Sequence, residues 1–185
     1  MSINNNKKYI VFDRDGTLIK HKPYMFKPEM VELFDDTIES LKLLKKNGFD
    51  FFLHTNQSGV GRGFFKLEDA IKCNNEMIQM IGLGTDLFKK ICVAPEFPST
   101  KNGYRKPSTR FGKEIMKDFE INIDNLFYVG DSISDIQTGI NLGCHSFGIN
   151  TGLVNIFKEN KLNLHVKIFS SLTDFTNYII NENFK

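Results

Sequence analysis

The chain has no tryptophan, only five prolines and three cysteines, and only four arginines among its 24 basic residues. Cys73, Cys92 and Cys144 stand far apart, with neither a Cys-x-x-Cys pair nor a Cys/His spacing. That excludes a disulfide framework and a zinc ribbon and agrees with a reducing cytosol. No apolar run approaches the roughly 20 residues that span a bilayer, and the opening MSINNNKKYIVF is polar where a secretory signal needs an apolar stretch. A soluble, cytoplasmic protein without a membrane partner is expected. An excess of one charge is missing too. With 24 basic and 22 acidic residues the net charge is +2, so no global field recruits nucleic acid, and none is expected as a partner. A content of 41% hydrophobic and 25% charged residues excludes disorder, collagen-like repeats and a coiled coil. At 185 residues, one compact domain covering 1–185 is expected.

What is present is alternation. Short apolar runs at 9–12, 49–53, 88–94, 126–129, 145–149 and 165–169 predict strands. Between and after them, helical spacing predicts helices over 33–46, 67–81, 108–119, 134–142, 153–160 and 172–180. In the first, Phe34, Ile38, Leu41 and Leu44 share a face and Asn47-Gly48 supplies the stop. In the second, the face is Leu67, Ile71, Ile78 and Ile81. Six strand–helix alternations predict an α/β fold, a single Rossmann-like three-layer domain with a mainly parallel sheet. Ligands of such sheets gather beyond the carboxyl ends of the strands, which makes the residues after each run the candidates for chemistry.

Four polar clusters sit at those ends. Asp13-Arg14-Asp15-Gly16-Thr17 places two carboxylates two residues apart before a glycine turn, suited to binding a divalent cation or to dividing nucleophile and acid/base roles. His54-Thr55-Asn56-Gln57-Ser58-Gly59 and the following Gly61-Arg62-Gly63 supply a hydroxyl, amides and small residues that let phosphate oxygens approach, with His54 itself read as a packed strand residue. Tyr104-Arg105-Lys106-Pro107-Ser108 offers a compact positive charge held extended by the proline. Gly130-Asp131-Ser132-Ile133-Ser134-Asp135 adds acidic groups, of which Asp131 is a candidate magnesium ligand with the first pair, whereas Ser134 and Asp135 are equally suited to capping a helix. Carboxylates, hydroxyl, lysine and carboxylate in that order suit phosphoryl transfer through an aspartyl-phosphate, because an anionic nucleophile attacking phosphate needs positive charge around it.

In these motifs, Asp13-x-Asp15-Gly16-Thr17, Thr55, Lys106 and Gly130-Asp131 with Asp135, the sequence resembles the haloacid dehalogenase superfamily of phosphatases over residues 9–151. Within it, Asp-Arg-Asp-Gly-Thr-Leu, Thr-Asn-Gln-Ser-Gly-Val and Arg-Lys-Pro look like the branch of heptose bisphosphate and histidinol phosphatases. The resemblance implies that Asp13 is the nucleophile and Asp15 the acid/base. It implies a Mg2+ held by the Asp13 carboxylate, the Asp15 main-chain carbonyl and Asp131. Thr55 and Asn56 would bind phosphoryl oxygens, Lys106 would bridge nucleophile and phosphate, and Asp135 would orient the shell.

The intervals of about 40 and 50 residues between the first three motifs are spent on helices and strands, so no full cap domain fits, and specificity is expected from loops 21–28, 57–65 and 95–105. Gln57, Ser58, Arg62 and Arg105 are the further substrate-binding candidates, the arginines for a second anionic group. The Cys/His zinc site usual in that branch is missing, since the loop before Arg105 has Cys92 alone, and zinc is not expected. Ser132 stands where a basic residue is common. The expected substrate is a small phosphorylated metabolite, first of all D-glycero-D-manno-heptose 1,7-bisphosphate. Histidinol phosphate and a polynucleotide 3′-phosphate are alternatives, as is a receiver-like phospho-acceptor, which Asp15 disfavours. A monomer or small homo-oligomer is expected. In an extended segment the Arg14 side chain would point away from both Asp neighbours and serve structure.

Overall fold

The computed structural model describes residues 7–97, 99–100, 102–151 and 166–182. Its strands are β1 (Lys8–Phe12), β2 (Phe49–Asn56), β3 (Phe88–Ala94), β4 (Leu126–Gly130), β5 (His145–Ile149) and β6 (Ile168–Phe169). They form one sheet in the order β3-β2-β1-β4-β5-β6, every neighbouring pair parallel. The helices are α1 (Thr37–Lys46), α2 (Ser58–Gly61), α3 (Leu67–Ile81), α4 (Arg110–Asp118), α5 (Ile133–Leu142) and α6 (Leu172–Asn181).

Strand alternation divides the core into two layers. Ile10 and Phe12, Phe51 and Leu53, and Phe127 and Val129 face α1, α3 and α6, where Leu41, Leu44, Met77, Ile81, Phe175 and Ile179 meet them. Val11, Phe52, Leu126 and Tyr128 point the other way, against Phe111 and Ile115 of α4. Each such side chain taken out of water contributes about 1.5–3 kcal/mol, which is what closes both faces of a parallel sheet.

Several elements differ from the sequence expectation, among them α2, which lies in the stretch read as a loop, α4, which begins at Arg110 and not at 108, and β6, which is confined to Ile168–Phe169. Helix α1 begins at Thr37 instead of residue 33, because Leu33 pairs with Ile19 in an antiparallel bridge and Thr37 Oγ1 donates to the Leu18 carbonyl at 2.8 Å. Helix α3 has the expected bounds but a different face. Ala70, Cys73, Asn74, Met77, Ile78 and Ile81 are buried while Leu67 and Ile71 are exposed. Strand β2 includes His54, as expected of a packed strand residue, and runs on through Thr55 and Asn56, whose polarity suggested a loop. The expected helix over 153–160 lies outside the described residues, as does His165 of the last run.

The central β1 has β2 on one side and β4 on the other, and the connection from β3 to β4 carries the chain across it. Order reversal at a central strand opens a crevice at the carboxyl ends of β1, β2 and β4, and the four polar clusters lie around it.

Candidate active site

Asp13 leaves the end of β1 with its N–H donating to the Val129 carbonyl of β4 at 2.9 Å, which keeps it against the β4 edge. The chain then turns back, the Arg14 carbonyl accepting from the amides of Leu18 and Ile19 at 3.0 and 3.1 Å. Gly16 makes that turn at φ +90°, and a Cβ there would lie 2.0 Å from Asp131 Oδ2, so both the conformation and the approach require glycine. At the end of β4 the close approach alone requires a glycine at 130, where a Cβ would lie 2.3 Å from Asp135 Cγ. Ser132 caps α5 in a capping box with Asp135, whose Oδ2 accepts from Ser132 N at 3.0 Å and Ser132 Oγ at 2.6 Å.

Lys106 brings these acidic groups together. Its buried ammonium donates to Asp13 Oδ1 at 2.5 Å and to the His54 carbonyl at 2.6 Å, and it is ion-paired with Asp135 Oδ1 at 2.6 Å. Burial works against its charge, and the carboxylates of Asp13 and Asp135 outweigh burial, holding Lys106 protonated above its ordinary range. Asn56 clips the lysine backbone, accepting from Lys106 N at 2.9 Å and donating to Lys106 O at 3.3 Å. The amide of Asn56, expected to reach phosphoryl oxygens, is thus spent on the loop that carries the lysine. His54 fixes the same loop from the other layer. Its Nε2 lies 2.8 Å from the Tyr104 carbonyl, which can only accept, so Nε2 carries the proton and Nδ1 accepts from Tyr128 Oη at 2.8 Å. Burial, reinforced by Lys106, pushes the His54 imidazole well below its usual range and keeps it neutral.

Asp15 has separate supports. Arg14, fully buried, does not point away as alternation would require, because the strand ends at Phe12 and the turn rotates the side chain. Its Nε donates to Asp15 Oδ2 at 3.0 Å and its Nη2 to Oδ1 at 3.1 Å. Gln57 Nε2 donates to Asp15 Oδ2 at 2.8 Å and to Thr55 Oγ1 at 2.8 Å, and the Thr55 hydroxyl donates to Asp15 Oδ2 at 3.3 Å. Asp15 also lines a cavity of about 330 Å³ walled by His21, Lys22, Tyr24, Ser58 and Phe65, from two of the three loops expected to set specificity. In the third loop, Glu96 Oε1 accepts from Tyr104 N at 2.7 Å, and Arg105 Nη1 is buried without a hydrogen-bond partner among the described residues. Burial and then the nearby charge of Arg62 push the Arg105 guanidinium down, against Glu96. Arg62 is exposed and lies 5.5 Å from the Phe97 ring. Arg110, the fourth arginine, pairs with Glu114 and stacks on Tyr104 at 4.2 Å.

Asp13, Asp131 and Asp135 each offer a carboxylate oxygen, all within 4.8 Å of one another. Ser132 takes Asp135 Oδ2, and Asp135 Oδ1 has no hydrogen bond but is ion-paired with Lys106 at 2.6 Å, which leaves Asp13 and Asp131 as the first donors a cation would use. Hard oxygen donors of this kind fit Mg2+. The cluster is electrostatically incomplete without a cation. Burial above all, then Asp13 and Asp135, pushes Asp131 up to about 9. Burial also raises Asp13, against Lys106 and with Asp135 and Asp15, to about 7.

Stability should therefore depend on pH. The folded protein retains these two protons to higher pH than the unfolded chain, whose aspartates titrate near 3.8, so the associated stability is full below that value and is lost as pH rises through about 7 and then about 9. With chelator present, the melting temperature is expected to fall by roughly 5–10 °C between pH 5 and pH 9, and millimolar Mg2+ should remove most of the fall. Melting curves that overlay with and without Mg2+ at pH 9 would remove the cation from the acidic cluster.

Among the described residues, no helix is long and apolar enough to cross a membrane. The sequence matches the family model described as polynucleotide kinase 3 phosphatase over residues 8–173. It is 32% identical over 140 residues to D-glycero-beta-D-manno-heptose-1,7-bisphosphate 7-phosphatase of Pasteurella multocida, covering 72% of this chain and 76% of that protein. It is 28% identical over 171 residues to D-glycero-alpha-D-manno-heptose-1,7-bisphosphate 7-phosphatase of Campylobacter jejuni, covering 92% and 95%. The fold superposes on the crystal structure of D,D-heptose 1.7-bisphosphate phosphatase from B. bronchiseptica, complexed with magnesium and phosphate, with a TM-score of 0.85 at 22% identity, covering 95% and 99% of the two chains. The chain belongs to the polynucleotide kinase 3 phosphatase family and is a haloacid dehalogenase-like phosphatase.

Proposed function

We propose that the chain acts as one cytoplasmic domain, monomeric or a small homo-oligomer, that removes the 7-phosphate of D-glycero-D-manno-heptose 1,7-bisphosphate with Mg2+ and without zinc. The observation that carries the catalytic reading is the buried Asp13 carboxylate, tied to Lys106 at 2.5 Å beside Asp131, with Asp15 facing the cavity. The substrate reading is supported by the curated relatives named above.

Asp13 attacks phosphorus and forms a bond to it as the bond to the sugar oxygen breaks. Asp15 delivers its proton to that oxygen, which leaves as the alcohol. Asp15 then takes a proton from water as the water oxygen attacks the phosphoryl group, and cleavage of the Asp13–phosphorus bond releases inorganic phosphate. Lys106 neutralises the carboxylate that approaches an anion, and Asp135 holds the ammonium in place. Gln57 and Ser58 line the cavity that Asp15 faces, Thr55 supports Asp15 from behind it, and Asn56 acts through the backbone of Lys106. Arg62 and Arg105, close enough for one charge to depress the other, take the second phosphate. The Asp13 and Asp131 carboxylates and the Asp15 main-chain carbonyl would hold Mg2+, which would offset charge on the phosphoryl oxygens.

With Mg2+, both anomers of the heptose bisphosphate, histidinol phosphate and a 3′-phosphorylated oligonucleotide should be assayed for phosphate release. The expected result is release from the heptose bisphosphate at C7, with a kcat/KM about 10–100 times lower when the 1-phosphate is absent. Turnover of histidinol phosphate or of the oligonucleotide with none of the heptose would overturn the substrate.

A further inference from the structure

We propose that Arg14 is a positioning residue for the acid/base Asp15 and that Asn74 of α3 fixes Arg14 in turn, so that the pair governs protonation of the leaving group; this rests on the phosphatase reading above. Arg14 is 0% exposed, although arginine is rarely buried without a partner that matches its charge. Its fork grips both oxygens of Asp15, and the remaining nitrogen Nη1 donates to Asn74 Oδ1 at 2.8 Å. Asn74 is 2% exposed on a helix face otherwise made of Ala70, Cys73, Met77 and Ile78. An amide in that setting is costly unless hydrogen-bonded, and Arg14 is the group it meets.

Asp13 and Asp15 are anchored by different cations. Lys106 holds the nucleophile, and Arg14 holds the residue that faces the cavity. Thr55 of β2 and Gln57, at the start of α2, add donors to Asp15 Oδ2, so the carboxylate is aimed by groups from the β1 turn, the end of β2 and α3 together. A lysine at position 14 would keep the charge and lose the two-point grip, because an ammonium is a point donor with no plane. An aim off by a fraction of an ångström matters only where a proton must be delivered. From an alkyl phosphate the alcohol departs as a strongly basic alkoxide unless it is protonated, whereas from p-nitrophenyl phosphate p-nitrophenolate departs unaided.

Wild type, Arg14→Lys and Asn74→Ala should be compared by kcat/KM, which reports the steps up to formation of the aspartyl-phosphate, on the heptose bisphosphate and on p-nitrophenyl phosphate. If another alkyl phosphate proves the better substrate, it replaces the heptose in the same comparison. Arg14→Lys should lose about 30–100-fold on the alkyl ester and no more than about threefold on the aryl ester. Asn74→Ala should lose about fivefold with the same selectivity. Equal losses on the two esters would make Arg14 a merely structural residue, and unchanged alkyl turnover would deny it any role; either overturns the proposal. Melting curves identify a variant that has not folded, and Asn74→Ala, which leaves the ion pair intact, then decides. Wild-type protein inactive on both esters would overturn the phosphatase reading itself, whereas active wild type with unselective variants overturns only the role of Arg14.

Discussion

Asp13→Asn is expected to lower phosphate release by about 10⁴-fold or more while the protein folds as before. The substitution preserves shape, and the asparagine Oδ1 can still accept from Lys106. What disappears is the carboxylate that must bond to phosphorus, and an amide oxygen is a poor substitute because its lone pair is committed to the amide. The stability consequence separates this from simple damage. The environment of Asp13 disfavours its charge, burial and the two other aspartates outweighing Lys106, which is why it is pushed up to about 7. In chelator at pH 8 the neutral variant should therefore melt no lower than wild type. Loss of activity with an unchanged or higher melting temperature fits a residue kept for chemistry at a cost in stability. A variant that retains wild-type turnover would mean that another group attacks phosphorus.

The architecture was readable where side-chain periodicity reports burial directly. Runs such as Ile10-Val11-Phe12 and Leu126-Phe127-Tyr128-Val129 are buried on both faces and read as parallel strands. The reading failed where tertiary pairing replaced periodicity. Leu33 and Phe34 continue the apolar stripe of α1, yet Leu33 is held by Ile19, and a helix cannot include a residue committed to a bridge. Thr55 and Asn56, next to the strand residue His54, look like loop because they are polar. All three remain in β2 because each polar group has a hydrogen-bond partner: Tyr104 and Tyr128 for His54, Asp15 and Gln57 for Thr55, and Lys106 for Asn56.

The candidate site divides in the same way. Asp13, Lys106, Asp131 and Asp135 were visible as a succession of strand-end motifs, and the structure brings their side chains into one cluster. The side chain of Arg14 departs from the expected direction because the alternation that orients side chains in a strand ends with β1 at Phe12. Asn74 carried a signal that went unused. It is a polar residue in register with Ala70 and Ile78 on α3, and its partner is 60 residues away, a separation that spacing along one helix cannot reveal. The tautomer of His54 needed the Tyr104 carbonyl, which is a fact of packing and not of composition.

Lys106→Met should have the largest effect on stability. Three carboxylates, of Asp13, Asp131 and Asp135, lie within 4.8 Å of one another, and Lys106 is the cation paired with two of them. Removing one partner from a buried pair typically costs about 3–5 kcal/mol, because the charge left behind has lost both water and counter-ion. In chelator at pH 8 that cost should lower the melting temperature by roughly 10 °C or more. Two conditions should return part of it. Near pH 5, Asp13 and Asp131 hold their protons, since burial raises both above that pH, and the repulsion the lysine offset is largely absent. Mg2+ should restore stability at pH 8 by supplying the missing positive charge to the same carboxylates. Turnover should nonetheless stay down by about 10³-fold with Mg2+ bound, because the ammonium that neutralises Asp13 as it meets the phosphoryl group is gone. Lys106→Arg should not rescue it. Three acceptors at 2.5 to 2.6 Å converge on one compact nitrogen, and a planar guanidinium spreads its donors over too wide a fork to meet them. A methionine variant that melts like wild type at pH 8 in chelator would mean that the three carboxylates share protons instead of relying on Lys106.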